Sequence, residues 1–181
     1  MVAEHPLVDD SLPELEAFGN LWIYKSKLAT PRAFFASTSS ILNNDTAICD
    51  ELLRNDAPWP SAMFTSDQNA KIFHNIQSTH DTVSDLYDSG NEISMRTMTK
   101  DSSYLVLTDT YYPGWTAKAD KNEVTVLRCN YSMRAIAIPP GDHKIRFEFK
   151  PASFQIGKFV SFASLVIMLV AFFFTRGKKL A

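Results

Sequence analysis

The sequence predicts an all-β fold, an antiparallel β-sandwich followed by one C-terminal transmembrane helix. Between residues 102 and 150, short apolar alternations are separated by turn residues about every ten positions, as in an antiparallel β domain. No strand–helix–strand alternation accompanies them, which favours two packed sheets. Residues 159–175 form an apolar run without a charge, long enough to cross a hydrocarbon core about 30 Å thick. An open barrel is the alternative arrangement of the same strands.

The best-patterned part of the chain predicts strands at residues 83–87, 92–99, 104–109, 115–119, 124–128, 133–138 and 143–150. Turns are predicted at residues 88–91, 113–114, 120–122 and 139–142, since Gly, Pro, Asp and Asn favour turn conformations. In the last strand apolar residues alternate with charged ones, so that Ile145, Phe147 and Phe149 share one face. This pattern indicates a half-buried strand.

The N-terminal part is less regular than the rest. Strands are predicted at residues 21–24 and 32–36, and Asp45 is predicted to cap a short helix that ends near Arg54. The predicted layout is an extracytoplasmic β-sandwich domain over residues 1–153 with an irregular part at 1–81, a juxtamembrane linker at 154–158, a transmembrane helix at 159–175 and a cytoplasmic basic tail at 176–181.

The orientation of the apolar run depends on its flanking charges, which are Lys144, Arg146, Lys150 and Lys158 before it and Arg176, Lys178 and Lys179 after it. The charges nearest the run favour a cytoplasmic C-terminus. Residues 1–20 show no basic region followed by an apolar core, so they predict no signal peptide. Either the domain is cytoplasmic and tail-anchored, or the chain ends a longer polytopic protein whose earlier helices carry out translocation. A buried globular helix is the alternative interpretation of the run.

Composition excludes several classes of partner and cofactor. The formal net charge is −2 and charged residues make up 21% of the chain, so no basic surface for nucleic acid is predicted. Cys49 and Cys129 lack the spacing of a zinc site or a redox pair; they either bridge in an extracytoplasmic domain or remain two buried thiols. The histidines do not form a ligand motif, and we predict no metal and no cofactor.

An aromatic group beside the Pro113–Gly114 turn is the first candidate binding site. Tyr111, Tyr112 and Trp115 are placed to form a platform for a sugar, because ring faces stack on the apolar C–H surface of a pyranose. The alternative for Trp115 is packing in the core with its N–H satisfied internally.

Two arginines form the second candidate site. Arg128 and Arg134 flank a predicted turn, and a guanidinium fork suits a phosphate or a carboxylate. Structural pairing with Asp109 or Glu123 is the alternative. Spacing gives no support for Asp109 and Asp120 as an acid–base pair across a glycosidic bond, and no catalytic residue is predicted.

Several segments resemble the C-terminal part of the YfhO family of bacterial polytopic membrane proteins. In the second half of the chain they are residues 111–115 (YYPGW), 127–135 (LRCNYSMRA), the Pro-Gly turn before His143, and residues 151–154 (PASF) leading to Gly157. Upstream, residues 24–27 (YKSK) and 30–34 (TPRAF) resemble the segment that introduces the same domain. Little resemblance is found between residues 36 and 82.

The resemblance implies a protein with many transmembrane helices of a GT-C-like glycosyltransferase architecture, an extracytoplasmic C-terminal β domain and a final helix. Members are linked to glycosylation of cell-envelope polymers from lipid-linked sugars. This sequence lacks the upstream helices and the acidic loop that holds the catalytic carboxylate in GT-C enzymes, so activity does not carry over. We therefore expect a C-terminal piece of a longer protein, a split gene product or a truncated chain.

The leading functional hypothesis is an accessory, non-catalytic extracytoplasmic domain that positions an acceptor polymer or a lipid-linked donor for glycosyl transfer. The alternatives are a stand-alone membrane-tethered module that binds carbohydrate or protein, and a cytoplasmic tail-anchored adaptor. Expected partners are the lipid bilayer, an envelope glycan or lipid-linked sugar, and other transmembrane segments of the same system, with no nucleic acid. The expected location is the bacterial cytoplasmic membrane.

Overall fold

The computed structural model describes residues 2–3, 14–18, 21–24, 30–54, 62–73 and 81–177. The chain divides into two compact units, Met1–Arg32 and Ala33–Ala181. In the described part of the first unit, three antiparallel strands pair in the order β1-β3-β2. These strands are β1 (Val2–Ala3), β2 (Glu14–Phe18) and β3 (Leu21–Tyr24). The predicted strand at residues 21–24 is thus present as β3.

In the second unit the described elements are β4 (Ala33–Ala36), β5 (Thr38–Ile41), α1 (Asp45–Leu53), β6 (Ala62–Thr65), β7 (Thr82–Asp88), β8 (Glu92–Thr99), β9 (Ser103–Thr110), β10 (Trp115–Ala119), β11 (Asn122–Val124), β12 (Leu127–Cys129), β13 (Met133–Ile138), β14 (Gly141–Phe149) and α2 (Ala152–Gly177). Two antiparallel sheets dominate this part of the chain. One has the strand order β11-β10-β14-β8-β7, and the other has the order β12-β13-β9-β4.

The core lies between these two sheets, because strands of both contribute side chains to one buried cluster. Its buried members are Ala33, Ile93, Met95, Leu105, Leu107, Ala117, Ala119, Ile136, Ile138, Ile145 and Phe147. The alternation predicted for the last strand is present, since Ile145 and Phe147 are fully buried while Lys144 and Arg146 are exposed. The predicted antiparallel β-sandwich followed by one C-terminal apolar helix is confirmed.

A further layer covers the outer face of the sheet that contains β9 and β13. Strands β5 and β6 pair in parallel, and Met63 of β6 packs with Tyr104, Val106 and Ala135 of that sheet. Helix α1 adds Ile48, which is buried against β6. The sheet is therefore buried on both faces, which explains the continuous run of buried residues from Ser103 to Leu107 in β9.

The prediction of one continuous strand at residues 124–128 is wrong in one respect, because these residues belong to two strands that lie in different sheets. Strand β11 pairs with β10, whereas β12 pairs with β13 in the opposite sheet. Val124 and Val126 pack on the core between the sheets, while Leu127 and Cys129 face the outer layer. Strict alternation therefore breaks at residues 126–127, where the chain crosses from one sheet to the other.

Helix α1 begins one residue away from the predicted cap. The Oδ1 atom of Asn44 accepts a hydrogen bond from the backbone N–H of Ala47 at 2.8 Å, so Asn44 is the N-cap and Asp45 is the first helical residue. Cys49 on this helix is half-buried, and Cys129 on β12 is buried; both are free thiols. Burial raises the pKa of the Cys129 thiol to about 12.

Helix α2 follows β14 after two residues, Lys150 and Pro151. Residues 154–158, the predicted linker, are helical here. The apolar part of α2 covers Ala152–Phe173, 22 residues with a mean hydropathy of 2.2, and its side chains are exposed. At 1.5 Å per residue this part is about 33 Å long, close to the thickness of a hydrocarbon core. Among the described residues α2 is the one helix long and apolar enough to cross a membrane.

Candidate functional site at the helix-proximal end

Three loops meet where the chain passes from β14 into α2. The backbone N–H of Lys150 donates to the carbonyl of Gly114 at 2.8 Å, and that of Phe149 donates to the carbonyl of Asn91 at 2.9 Å. The backbone N–H of Tyr111 donates to the carbonyl of Ser132 at 2.6 Å. We call these three loops, residues 88–92, 110–115 and 130–132, together with the junction at residues 150–151, the helix-proximal end.

Gly114 is where the backbone of the β9–β10 loop comes closest to the backbone of Pro151. Its φ angle is +111°, a conformation that residues with a side chain rarely adopt. A Cβ atom placed on it would lie 2.9 Å from the Cα atom of Pro151, which is closer than two carbon atoms can pack. The backbone of the β9–β10 loop therefore rests directly on the first residue before α2.

The aromatic residues predicted as a sugar platform lie at the helix-proximal end, but their exposure differs. Tyr112 is 61% exposed, and its ring contacts the Phe149 ring edge-on with centroids 6.1 Å apart. Trp115 is half-buried, lies 5.2 Å from Phe149 and packs against the core between the sheets. Tyr111 is half-buried. Trp115 thus takes the core position given as its alternative, and Tyr112 presents the most open ring of the three.

The side chain of Arg134 lies inside the sandwich, beneath the β9–β10 loop. Its side chain is 2% exposed, and its guanidinium lies 4.0 Å from the centroid of the Trp115 ring. Its Nη2 atom donates to Oδ2 of Asp109 at 2.7 Å, and Nη1 donates to the carbonyl of Thr110 at 3.2 Å. The pairing of β13 with β9 shifts next to Arg134, and this bulge places Asp109 beside the guanidinium. The structural pairing with Asp109 is therefore present, and Arg134 holds the start of the loop.

Arg128 lies directly across from Arg134 in the register of β12 and β13, but its guanidinium takes another partner. Its Nη2 atom donates to Oδ1 of Asp45 at 2.6 Å, and Nη1 donates to the carbonyl of Tyr131 at 3.3 Å. Both members of this ion pair are about two-fifths exposed. The two arginines thus pair with acidic groups of different elements, one inside the sandwich and one at the start of α1.

The turn between β12 and β13 contains a residue that sequence analysis missed. Three residues, 130–132, separate β12 from β13, and two of them, Asn130 and Tyr131, have positive φ angles of +45° and +69°. The Asn130 side chain is buried, accepts a hydrogen bond from the N–H of Phe64 at 2.8 Å and donates to the carbonyl of Ala62 at 3.3 Å. Asn is a common residue in such turns, but only the fold reveals that its amide binds β6.

Asp120 and His143 form a pair at the opposite end of β10. The Nδ1 atom of His143 lies 2.8 Å from Oδ2 of Asp120, whose Oδ1 accepts from the N–H of Lys144 at 2.9 Å. The hydrogen bond with Asp120 raises the pKa of His143, and the same bond lowers the pKa of Asp120. Five strand residues, about 16 Å, separate this end from the loop beside Asp109, so the two aspartates do not face one glycosidic bond.

A cavity of about 440 Å³ opens on the outer face of the sheet that contains β9 and β13. Its polar rim includes Asp67, Asn69 and Lys71, and the backbone N–H of Lys71 donates to the Tyr104 hydroxyl at 2.8 Å. Apolar side chains including Leu127 form the floor. Sequence analysis missed this cavity because residues 66–73 show no recognisable pattern. Within the described residues no group of acidic, histidine or cysteine side chains is arranged to hold a metal ion.

The fold and this junction define a class of protein: a β-sandwich joined directly to an apolar helix of membrane-spanning length. Residues 77–161 match the family model described as bacterial membrane protein YfhO, so the resemblance to this family is confirmed for that segment. The chain is a membrane protein that carries a YfhO family segment, and the match runs from before β7 into α2. Neither the curated proteins nor the solved structures include a match to this chain.

Proposed function

We propose that the chain is an accessory domain of a YfhO-like membrane protein that supports glycosyl transfer onto a cell-envelope polymer by positioning the acceptor or a lipid-linked donor. In this proposal residues 1–153 lie outside the cytoplasm, α2 crosses the bacterial cytoplasmic membrane and residues 176–181 lie in the cytoplasm. The chain itself supplies no catalytic group. Asp109 instead pairs with Arg134, and Asp120 pairs with His143. The two pairs lie near opposite ends of β10.

One observation carries the proposal: the most exposed aromatic ring of the predicted sugar platform lies beside the start of the membrane span. Tyr112 contacts Phe149, which is three residues before the first residue of α2. A lipid-linked donor carries its phosphate and its sugar at the surface of the bilayer. A tyrosine ring at that level is suited to stack on the apolar face of the sugar while its hydroxyl remains hydrated.

The test is binding of a lipid-linked sugar by the full chain in lipid nanodiscs. The probe is polyprenyl-phosphate glucose, and polyprenyl phosphate without the sugar is the reference. Since stacking on one ring contributes about 1–1.5 kcal/mol, we expect Tyr112→Ala to weaken binding of the sugar-bearing lipid about 5- to 10-fold. The affinity for the reference lipid should stay unchanged.

Tyr87→Ala is the matched control, because Tyr87 has the same 61% exposure but lies on β7, the edge strand of the sheet that contains β10 and β14, and not in the β9–β10 loop. We expect it to leave binding of both lipids unchanged. Equal affinity of the unaltered chain for the two lipids, or equal weakening by the two substitutions, would refute the proposed sugar contact.

The cavity favours a second candidate function, a membrane-tethered module that binds soluble carbohydrate. Its volume suits one or two sugar rings, and a polar rim above an apolar floor is typical of small-molecule sites. Thr125→Trp, which fills the cavity, should abolish binding of soluble envelope oligosaccharides, whereas Thr116→Trp on the exposed face of β10 should not. Loss in both variants, or in neither, argues against this function.

A further inference from the structure

We propose that the helix-proximal end lies within the headgroup layer of the bilayer that α2 spans, and that Tyr112 and Tyr131 anchor it there. The sandwich would then be held in one orientation on the membrane instead of moving on a flexible tether. This inference depends on the membrane span alone, and it holds on either side of the membrane and with or without a sugar ligand.

The junction between β14 and α2 is rigid. Lys150 and Pro151 are the two residues between β14 and α2, and both are held by Gly114, one through a backbone hydrogen bond and the other through direct backbone contact. The backbone N–H of Phe154 then donates to the carbonyl of Pro151 at 3.2 Å, which continues directly into the helix. No flexible spacer separates the sheet from the helix among these residues.

Pro151 lies close to the level at which the hydrocarbon core begins. The apolar part of α2 begins at Ala152, and the first residue of the charge-free run, Phe159, is seven residues further along. Seven helical residues rise about 10 Å, and the headgroup layer on each side of the hydrocarbon core is about 5–8 Å thick. Pro151 therefore lies at the edge of the hydrocarbon core if the core begins at Ala152, and about 12 Å from that edge if the core begins at Phe159. The headgroup layer falls between these two limits, and we place Pro151 and the loops that contact it there. Lys158 is exposed, and a lysine near the end of a membrane helix is long enough to place its ammonium in the same layer.

Two exposed aromatic rings lie at the helix-proximal end. Tyr112 is 61% exposed and Tyr131 is 51% exposed, and both lie in loops of the helix-proximal end. Tyrosine and tryptophan are enriched at the level of the headgroups because one side of the ring is apolar and the hydroxyl or N–H is polar. Tyr131 also has a φ angle of +69°, a conformation in which Gly or Asn is the usual choice. Tyr131 therefore holds its ring in an exposed turn at some cost in backbone strain.

The opposite end of the sandwich has a different surface. It exposes Lys100, Asp101 and Lys121 in turns and Asp142 near the start of β14, and no aromatic residue is found among its described turn residues. Charged turns are suited to water, and aromatic turns are suited to an interface. The asymmetry between the two ends matches the position of α2, which leaves from the aromatic end.

The test is to measure the depth of spin labels in nanodiscs of phosphatidylethanolamine and phosphatidylglycerol that contain the full chain. Cys49→Ser removes the half-buried thiol, and buried Cys129, with its raised pKa, stays unlabelled in the folded protein. Labels are placed by Pro113→Cys and Ser132→Cys next to the two tyrosines, and by Asn122→Cys and Asp142→Cys at the opposite end; all four positions are exposed.

We expect labels at 113 and 132 to collide with a water-soluble nickel chelate at least threefold less often than labels at 122 and 142. Adding Tyr112→Ala and Tyr131→Ala together should restore chelate access at 113 and 132. Equal access at all four positions would overturn the proposed location. Low access that persists without the two tyrosines would overturn their role as anchors. The nanodiscs contain no glycolipid, so this result is independent of the sugar test.

Discussion

Asn130 joins two layers of the domain through a single side chain. Its amide forms hydrogen bonds with the backbone of Phe64 and Ala62 in β6, and its own N–H donates to the carbonyl of Phe64 at 2.8 Å. The amide thus extends the hydrogen bonding of β6 to a turn of the sandwich. Its buried position leaves no water to replace these bonds if the side chain is removed.

We therefore expect Asn130→Ala to lower the free energy of unfolding by about 2–4 kcal/mol, because two buried backbone groups lose partners and alanine is strained at φ +45°. Chemical unfolding of the full chain in detergent micelles measures this loss. Asn130→Gly removes the same hydrogen bonds without the backbone strain and should cost less. A change below about 0.5 kcal/mol in the alanine variant would contradict the assignment.

The Asp120–His143 pair makes stability depend on pH within a defined window. The raised pKa of His143 stabilises the fold below its ordinary pKa of 6.5, and this contribution is lost as pH rises through the folded value. The lowered pKa of Asp120 stabilises the fold above the ordinary pKa of 3.8, and this contribution is lost as pH falls through the pKa of Asp120 in the folded protein. The pair therefore contributes most between these two ordinary values.

Asp120→Asn should bring the pKa of His143 down toward 6.5, because the carboxylate partner is removed. An NMR titration of the four histidines in nanodiscs measures this, with His143→Gln identifying the resonance. The stability difference between the two proteins should be largest near pH 5 and should decrease as pH rises through the folded pKa of His143, which leaves the part that comes from the hydrogen bond of the Lys144 N–H. An unchanged His143 titration in the variant would refute the pairing.

At the scale of elements, the contact between the β9–β10 loop and the start of α2 depends on Gly114. Gly114→Ala adds both backbone strain and a Cβ atom 2.9 Å from the backbone of Pro151. Gly90→Ala is the matched control, because φ there is +85° but no atom lies within 4 Å of the added Cβ.

We expect Gly114→Ala to cost about 2 kcal/mol more than Gly90→Ala and to increase hydrogen exchange at the amide of Lys150, which bonds to Gly114. Hydrogen-exchange mass spectrometry of the full chain resolves the peptide around residue 150. Equal stability losses and unchanged exchange at Lys150 would show that the loop does not clamp the junction.

Elements with regular alternation and clear turns were predictable from the sequence. The strands at 115–119 and 133–138 match β10 and β13 at both ends, and the turn at 88–91 lies between β7 and β8. The parallel pair β5–β6 was not predicted. Thr38–Ile41 is short and polar, and Ala62–Thr65 is buried on every residue, so neither strand shows a period of two.

The candidate site was predictable only as a set of residue types. Sequence placed Tyr111, Tyr112 and Trp115 beside a turn, but their differing exposure depends on Phe149 and on Arg134, which are distant in the chain. The cavity beside Tyr104 depends on a contact between residues 33 positions apart. Such contacts leave no local pattern in the sequence.

At the scale of the whole molecule, the proposed topology can be measured directly. Asn122→Cys, in the Cys49→Ser background, places a reactive thiol at the exposed first residue of β11. A maleimide that does not cross membranes should label it in intact spheroplasts, because the proposal puts the sandwich outside the cytoplasm. Labelling only after the membrane is permeabilised would refute this orientation and support a cytoplasmic adaptor.

The two-residue junction between β14 and α2 also gives the molecule a mechanical property. Strand β14 has nine residues and is about 30 Å long, so the sandwich acts as a lever fixed to the end of the helix. Transmembrane helices change their tilt when the bilayer becomes thicker or thinner. If the sandwich rotates with α2 as one rigid body, a tilt of about 10° would move the turns at its far end by about 5 Å. The thickness of the membrane would then determine the position of those turns relative to the membrane surface.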